Sequence, residues 1–253
     1  MAKLNKKIKP GSKRKVTGKA SGPRGVSPLH GTLQQALALH QAGRLPEAET
    51  LYGQILLAEP DHPEALHYSG LLAHQMGESE TGAARISKAL RGRPDYVEAH
   101  FNLGKVFKAQ GKLAEAVACF RRTLTLRPDY AEAHFNLGIA LFAQNRLEEA
   151  VASYRRALAL QPEYVQAHNN LGVTLHDQGK LDEAAASYRR ALALQPDFGQ
   201  VRYNLGITLQ DLGRLDEAAA SFRQVLLAKP DYAEAHYNLG VILQEQGMLD
   251  EAE

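Results

Sequence analysis

The chain is built of successive 34-residue blocks, and the residues that its helical spacing predicts to face inward recur at the same positions of each block. Within a block, positions 4, 7, 8 and 11 and then positions 20, 24, 27 and 28 follow the spacing of two amphipathic helices. The pattern predicts helix A over positions 1–14 and helix B over positions 17–31, and small residues at positions 8 and 20 predict that the two helices approach closely. Six blocks are complete, and their first residues are 29, 63, 97, 131, 165 and 199; a seventh begins at 233 and stops at its position 21.

Residues at the helix ends agree with this division. Position 15 is Gly in six blocks and Asn145 in the fourth, which is typical of a left-handed residue that ends a helix. A proline at position 32 stops helix B in every complete block. The acids of Asp95…Glu98 and Asp129…Glu132, and likewise Asp231…Glu234, resemble capping boxes for the next helix A. Acidic pairs such as Glu148–Glu149 in the first turn of helix B suit the helix macrodipole.

The combination of Leu-Gly at positions 7–8, Ala at 20, an aromatic residue at 24 and Pro at 32 resembles the tetratricopeptide repeat (TPR). The resemblance extends over residues 29–253. It implies an all-α fold, an α-solenoid of antiparallel helix pairs stacked into a right-handed superhelix, with helix A on the concave face. It also implies that the partners are other proteins, bound through extended peptide segments.

Charge divides the chain into two unlike parts. The formal net charge is +2, but residues 1–30 hold nine Lys or Arg and no Asp or Glu, which leaves 21 basic and 28 acidic residues, a net of −7, in 31–253. The basic part is rich in Gly and Pro and cannot bury enough apolar surface to offset the entropy of ordering. We therefore predict that residues 1–28 form a disordered basic arm. The simplest interpretation is a solvated tail without a ligand. The candidate ligands are an acidic protein, an acidic membrane and the acidic body of this chain, and nucleic acid is disfavoured because no aromatic residues alternate with the charges.

One column of helix A is a candidate binding surface. Position 6 is Asn in five successive blocks: Asn102, Asn136, Asn170, Asn204 and Asn238. The TPR resemblance places this position in the concave groove, where an amide with one acceptor and two donors can pair with the backbone of an extended peptide. The alternative is that Asn here reflects the repeat consensus alone. The first two blocks have Gln34 and Tyr68 at this position, so the ladder would begin at the third block.

A narrower resemblance gives an alternative function. Segments 133–138, 167–172 and 178–184 resemble repeats of the O-linked N-acetylglucosamine transferase family, and residues 35–45 resemble the start of bacterial proteins that join such repeats to a glycosyltransferase domain. This implies that the chain is the non-catalytic, substrate-recognising part of such an enzyme. Because the seventh block stops inside helix B, we expect the sequence to be a fragment of a longer chain, and whether that chain is an enzyme stays open.

The sequence contains no recognisable catalytic motif. It has no Gly-rich phosphate loop, nucleophile elbow or His-Glu-x-x-His segment, so no catalytic residue, cofactor or metal site is predicted. His100, His134, His168 and His236 share position 4, but copies of one position lie about 8–10 Å apart, too far to share one zinc ion. Position 2 is acidic or neutral, which is wrong for gripping a C-terminal carboxylate. Cys119 is expected to be a tolerated small residue. With no membrane span, no secretory signal and one cysteine, the chain is predicted to be cytoplasmic.

Overall fold

The computed structural model describes residues 28–247, and all the regular structure in that range is α-helical. The A helices are α1 (Pro28–Gln41), α3 (Pro63–Gln75), α5 (Val97–Ala109), α7 (Ala131–Ala143), α9 (Val165–Asp177), α11 (Gly199–Asp211) and α13 (Ala233–Glu245). The B helices are α2 (Leu45–Ala58), α4 (Ser79–Gly92), α6 (Leu113–Leu126), α8 (Leu147–Leu160), α10 (Leu181–Leu194) and α12 (Leu215–Ala228). The predicted all-α solenoid is confirmed, with helix ends within one residue or so of those expected. The predicted arm lies outside the described residues except for Pro28, which begins α1, and so does the start of helix B in the seventh block.

Each A helix ends as the sequence predicts. The residue at position 15 is left-handed in all seven blocks, with φ from 59° at Asn145 to 90° at Gly77. The next residue donates its N–H back across the turn to position 11, as Lys180 does to the Leu175 carbonyl at 2.9 Å. This is a Schellman motif, and it satisfies carbonyls that the helix end would otherwise leave unpaired.

The capping boxes predicted at the start of helix A are not formed. The N-cap residue is the tyrosine at position 34, and none of Tyr96, Tyr130 and Tyr232 makes a side-chain capping bond. The Tyr130 ring instead packs on Phe101, at position 5 of the block that it ends, with ring centroids 4.8 Å apart. Glu98 pairs with Arg127 at 2.6 Å. The prediction was wrong because the acid lies one residue before the N-cap, and the N-cap side chain packs on the aromatic ring at position 5 instead.

Helices A and B are close because position 8 lacks a side chain. A Cβ added to Gly138 would lie 2.6 Å from the ring of Tyr154, at position 24 of the same block. Glycines 104, 172 and 206 meet the ring at their own position 24 in the same way. In the second block a Cβ on Gly82, at position 20, would lie 2.6 Å from the Gly70 carbonyl oxygen. Close approach was predicted, but in most blocks the ring at position 24 is what excludes a larger residue.

The histidines at position 4 join one block to the next. Each Nε2–H donates to the carbonyl of the proline that ended the preceding helix B, at 2.8–3.0 Å: His100 to Pro94, His134 to Pro128, His168 to Pro162 and His236 to Pro230. This carbonyl follows the last helical turn and has no helical N–H to accept. These histidines therefore have a structural role, which a hydrogen bond supplies.

On the outer side, the acidic residues at helix B starts are paired across blocks. Three arginines at position 25 contact glutamates at position 19 of the next block: Arg121–Glu149 at 2.6 Å, Arg155–Glu183 at 2.5 Å and Arg189–Glu217 at 3.0 Å. All six side chains are about half exposed, so each pair contributes at most about 1 kcal/mol.

None of the helices within residues 28–247 has the length and apolar character to cross a bilayer.

Candidate functional site

The A helices form the inner side of the solenoid. Across residues 28–247, the backbone of each A helix comes within 8 Å of the A helix in the next block, whereas no two B-helix backbones come that close; successive B helices meet through long side chains such as Arg121 and Glu149. Helices that touch on one side and separate on the other enclose a concave surface. We call this surface the groove, and its lining comes from helix A positions 6, 9, 12 and 13.

Two small pockets open into the groove at successive block boundaries. One, of about 110 Å³, lies between α7 and α9, and the other, of about 150 Å³, lies between α9 and α11. The first is lined by Ile139, Phe142, Tyr154, Asn170, Val173 and Thr174; the second is lined by Val173, His176, Asp177, Tyr188, Asn204 and Ile207. Both use the same repeat positions: aliphatic residues at position 9 of both blocks, position 12 and the position 24 ring of the first block, and the position 6 Asn of the second.

The chemistry of the two pockets differs although their framework is shared. In the α7–α9 pocket the polar groups are the Tyr154 hydroxyl, the Asn170 amide and a threonine, and Tyr154 hydrogen-bonds to Asn170. Burial raises the pKa of the Tyr154 phenol, so it is neutral and able to donate a hydrogen bond. The α9–α11 pocket adds a carboxylate, Asp177, and an imidazole, His176.

The first two members of the Asn column are engaged inside the protein. Asn102 donates from Nδ2 to Nε2 of His67 at 3.0 Å. Asn136 is only 6% exposed; its Oδ1 accepts from Lys108 Nζ at 2.7 Å and its Nδ2 donates to the Glu132 carbonyl at 2.9 Å. The sequence does not distinguish the five asparagines. In the structure, these two amides have few donors or acceptors left to bind a ligand.

The later members lie at pocket walls. Asn170 and Asn204 are half-buried and line the α7–α9 and α9–α11 pockets. The Oδ1 of Asn204 accepts from Gln200 Nε2 at 3.0 Å. Asn238 donates to the Tyr203 hydroxyl at 3.0 Å and lines a wider, open cavity of about 410 Å³ between α11 and α13. The column is therefore a set of unequal sites rather than a uniform ladder.

Charge changes sign along the groove. Lys105 and Lys108 lie on α5, and burial together with the neighbouring Lys105 lowers the pKa of Lys108. Asp177 ends α9, two blocks further on, and Asp211 ends α11, three blocks further on, with His176 Nε2 2.8 Å from Asp211 Oδ2. A ligand lying along the groove thus meets cations first and carboxylates later.

A buried histidine missed by the sequence analysis lies beside the groove. His67, at position 5 of the second block, is 1% exposed and replaces the aromatic residue found there in the third and fourth blocks. Its Nδ1–H donates to the Tyr96 hydroxyl at 2.9 Å, while its Nε2 accepts from Asn102. Burial lowers the His67 pKa to about 4, so the ring is neutral. The sequence signal that could have revealed it is a histidine at a position where the next two blocks have Phe.

The other histidines do not assemble a metal centre. Within residues 28–247, no three His, Cys, Asp or Glu side chains are grouped closely enough to hold a metal ion. Cys119 is half-buried, and burial raises its thiol pKa to about 11.

Solved structures with the same fold include several repeat proteins. MamA is 26% identical, with a TM-score of 0.63, and covers 65% of this chain and 96% of its own. YrrB, described as a TPR protein with an unusual peptide-binding site, is 20% identical, with a TM-score of 0.66 over 74% of this chain and 96% of its own. The pilF protein of Pseudomonas aeruginosa is 16% identical, with a TM-score of 0.70 over 86% and 97%.

No curated protein sequence matches the chain. A tetratricopeptide repeat model matches residues 33–81, 69–118, 101–162, 142–197 and 203–253, and a second model of the same repeat matches 175–221. Together these segments cover residues 33–253, a range that includes the helices from α2 to α13 and most of α1. The chain therefore belongs to the tetratricopeptide repeat family.

Proposed function

We propose that this chain is a protein-interaction scaffold whose groove binds an extended segment of another protein. The observation that carries the proposal is the pair of pockets at successive block boundaries, each with an Asn amide beside an apolar wall. Extended peptides present backbone polar groups and side chains at regular intervals, which suits amides and pockets repeated at a fixed spacing. YrrB, which shares the fold, is described as having a peptide-binding site, and this supports the same class of function here.

Within the five-residue column, Asn170 and Asn204 are proposed to make the main backbone contacts. They line pockets that open into the groove. Both amides already make side-chain hydrogen bonds, Asn170 with Asn169 and Tyr154 and Asn204 with the exposed Gln200. Asn102 and Asn136, by contrast, would have to exchange bonds to buried His67 and to Lys108 and the Glu132 carbonyl for ligand bonds. Such an exchange gains little, because bonds made to the ligand replace bonds already present.

Selection from a random library of capped twelve-residue peptides tests the proposal. The affinities of the selected peptides are then compared between the wild-type chain and the Asn170→Ala/Asn204→Ala double variant. We expect the double variant to bind at least about fivefold more weakly, since two amide contacts contribute roughly 0.5–1.5 kcal/mol each. The control variant Gln54→Ala removes an exposed amide from helix B and should bind like the wild type.

Two results would contradict the proposal. If the double variant binds with unchanged affinity and keeps its helicity by circular dichroism, the groove amides are excluded as ligand-binding groups. Failure to select any peptide would exclude the extended segment as the ligand.

The alternative function remains a prediction from the sequence alone. It holds that the chain is the substrate-recognising part of an O-linked N-acetylglucosamine transferase-like enzyme, and it rests on segments such as 133–138. Sequence of the natural gene beyond residue 253 tests it, because a nucleotide-sugar-binding domain there would favour the enzyme. The cytoplasmic location and the acidic partner for residues 1–28 likewise remain predictions.

A further inference from the structure

We infer that the α9–α11 pocket binds the side chain of a lysine or arginine in the segment held by the groove. The inference rests on the proposed function and specifies its ligand more closely. It is argued from the shape of the pocket, from carboxylates that lack a basic partner, and from the contrast with the α7–α9 pocket.

The walls of the pocket fit the methylene stem of a long basic side chain. Val173 and Ile207 contribute aliphatic surface from neighbouring A helices, and the Tyr188 ring contributes aromatic surface. Its volume of about 150 Å³ is below the ~300–1,000 Å³ of ordinary small-molecule sites, so it suits a single side chain. Lysine and arginine bury their stems on such surfaces while keeping the charged head near water.

The carboxylates at the pocket have no basic partner. Asp177 lines the pocket, and Asp211 is held beside it by the 2.8 Å hydrogen bond from His176 Nε2. Within residues 28–247, neither aspartate forms an ion pair with a lysine or arginine; their only ionic neighbour is His176. By contrast, the glutamates on the outer side, such as Glu183, are already paired with arginines. Asp177 and Asp211 therefore give this part of the groove negative charge that no lysine or arginine neutralises, and a cationic ligand group would complement it.

The α7–α9 pocket provides an internal comparison. At positions 12 and 13 it has Phe142 and Ala143, whereas the α9–α11 pocket has His176 and Asp177. The two pockets share their remaining framework, so the first suits an apolar side chain and the second a basic one. Neighbouring helices lie ~8–10 Å apart. A ligand in the extended polyproline II conformation advances ~3.1 Å per residue with three residues per turn, so side chains three residues apart lie on one face at about the spacing of the two pockets.

Capped, fluorescein-labelled peptides with leucine and lysine separated by two residues, in both orders, test the inference. The matched peptides carry acetyl-lysine, which keeps the stem and removes the charge. On the full chain, we expect fluorescence polarisation to show at least about fivefold tighter binding of a lysine peptide than of its acetyl-lysine match. The double variant Asp177→Asn/Asp211→Asn should lose this preference.

Two further variants sharpen the test. Asp182→Asn/Asp197→Asn removes the same charge from exposed positions on α10 and the following loop, and should keep the preference. Ala143→Asp introduces the missing carboxylate into the α7–α9 pocket. It should increase affinity for a peptide in which lysine replaces the leucine.

The outcomes separate this inference from the proposed function. Peptides that bind with no preference for lysine, or a preference that survives Asp177→Asn/Asp211→Asn, would overturn the cation pocket and leave the scaffold function intact. Failure of every peptide to bind would overturn both. If only a variant lacking residues 1–27 binds the lysine peptide, then the chain's own basic segment occupies the pocket, and assignment to another protein is wrong.

Discussion

Acid should destabilise this solenoid through the buried imidazole of His67. The ring is 1% exposed, and each of its nitrogens already has a partner: the Tyr96 hydroxyl at 2.9 Å and the Asn102 amide at 3.0 Å. A second proton on the ring would point an N–H at the Asn102 amide N–H and place a charge away from water. Both effects disfavour the charged form, and burial lowers the His67 pKa to about 4.

The size of the effect follows from proton linkage. Below pH 6.5 the unfolded chain takes up a proton on His67, whereas the folded protein does so only near pH 4. The stability is therefore complete above pH ~6.5 and is lost as the pH falls toward 4. At about 1.4 kcal/mol for each pKa unit, the full loss is about 3 kcal/mol, and about 2 kcal/mol is lost between pH 7 and pH 5.

Urea unfolding followed by circular dichroism at pH 7 and pH 5 measures this loss. The matched variant is His67→Phe, because Phe101 and Phe135 occupy the same position in the next two blocks. In that variant Asn102 can donate to the backbone of its own helix, as Asn136 does at 2.9 Å. We expect His67→Phe to lose about 2 kcal/mol less than the wild type over this pH range. Equal losses, or an NMR titration of His67 with a pKa of 6 or above, would refute the reasoning.

Other predictions concern single sites. Gly138→Ala should lower the free energy of unfolding by about 1–3 kcal/mol, because its Cβ would lie 2.6 Å from the Tyr154 ring, whereas Gly53→Ala, with nothing within 4 Å, should raise it by up to about 1 kcal/mol. Asn145→Gly should change stability by less than about 0.5 kcal/mol, whereas Asn145→Ala should lower it by about 1–2 kcal/mol, since φ is 59° there. Urea midpoints measure both effects, and an Ala variant as stable as the wild type would contradict the prediction. Cys119 should react with a thiol reagent at pH 8 about 100-fold more slowly in the folded chain than in urea, because its pKa is about 11; similar rates would contradict the burial.

Much of the fold could be predicted because its signals are local. The ends of helix A follow from the conformational freedom of glycine at position 15, and Asn145 takes the same left-handed conformation. The end of helix B follows from a proline that cannot donate an N–H. The glycine at position 8 was recognised as a close contact, but its partner ring at position 24 became clear only when the helices were paired in space.

The candidate site could be predicted only in part. The Asn column follows from the 34-residue period, yet the structure gives its members different environments, with Asn136 buried under Lys108 and Asn204 at a pocket wall. The predicted capping boxes are absent for a related reason, because the Tyr130 side chain at the N-cap packs on the Phe101 ring and makes no capping hydrogen bond.

The sequence by itself determined the number of blocks, the helix limits, the family and the position of the Asn column. The tertiary structure decided which amides remain at the groove, which acids are paired and which histidine is buried. The physical reason is distance along the chain. Helix propensity, capping and turn conformation act within a few residues, whereas the contacts of His67 and Asp211 join residues 29–35 positions apart. Such contacts exist only after consecutive blocks have stacked.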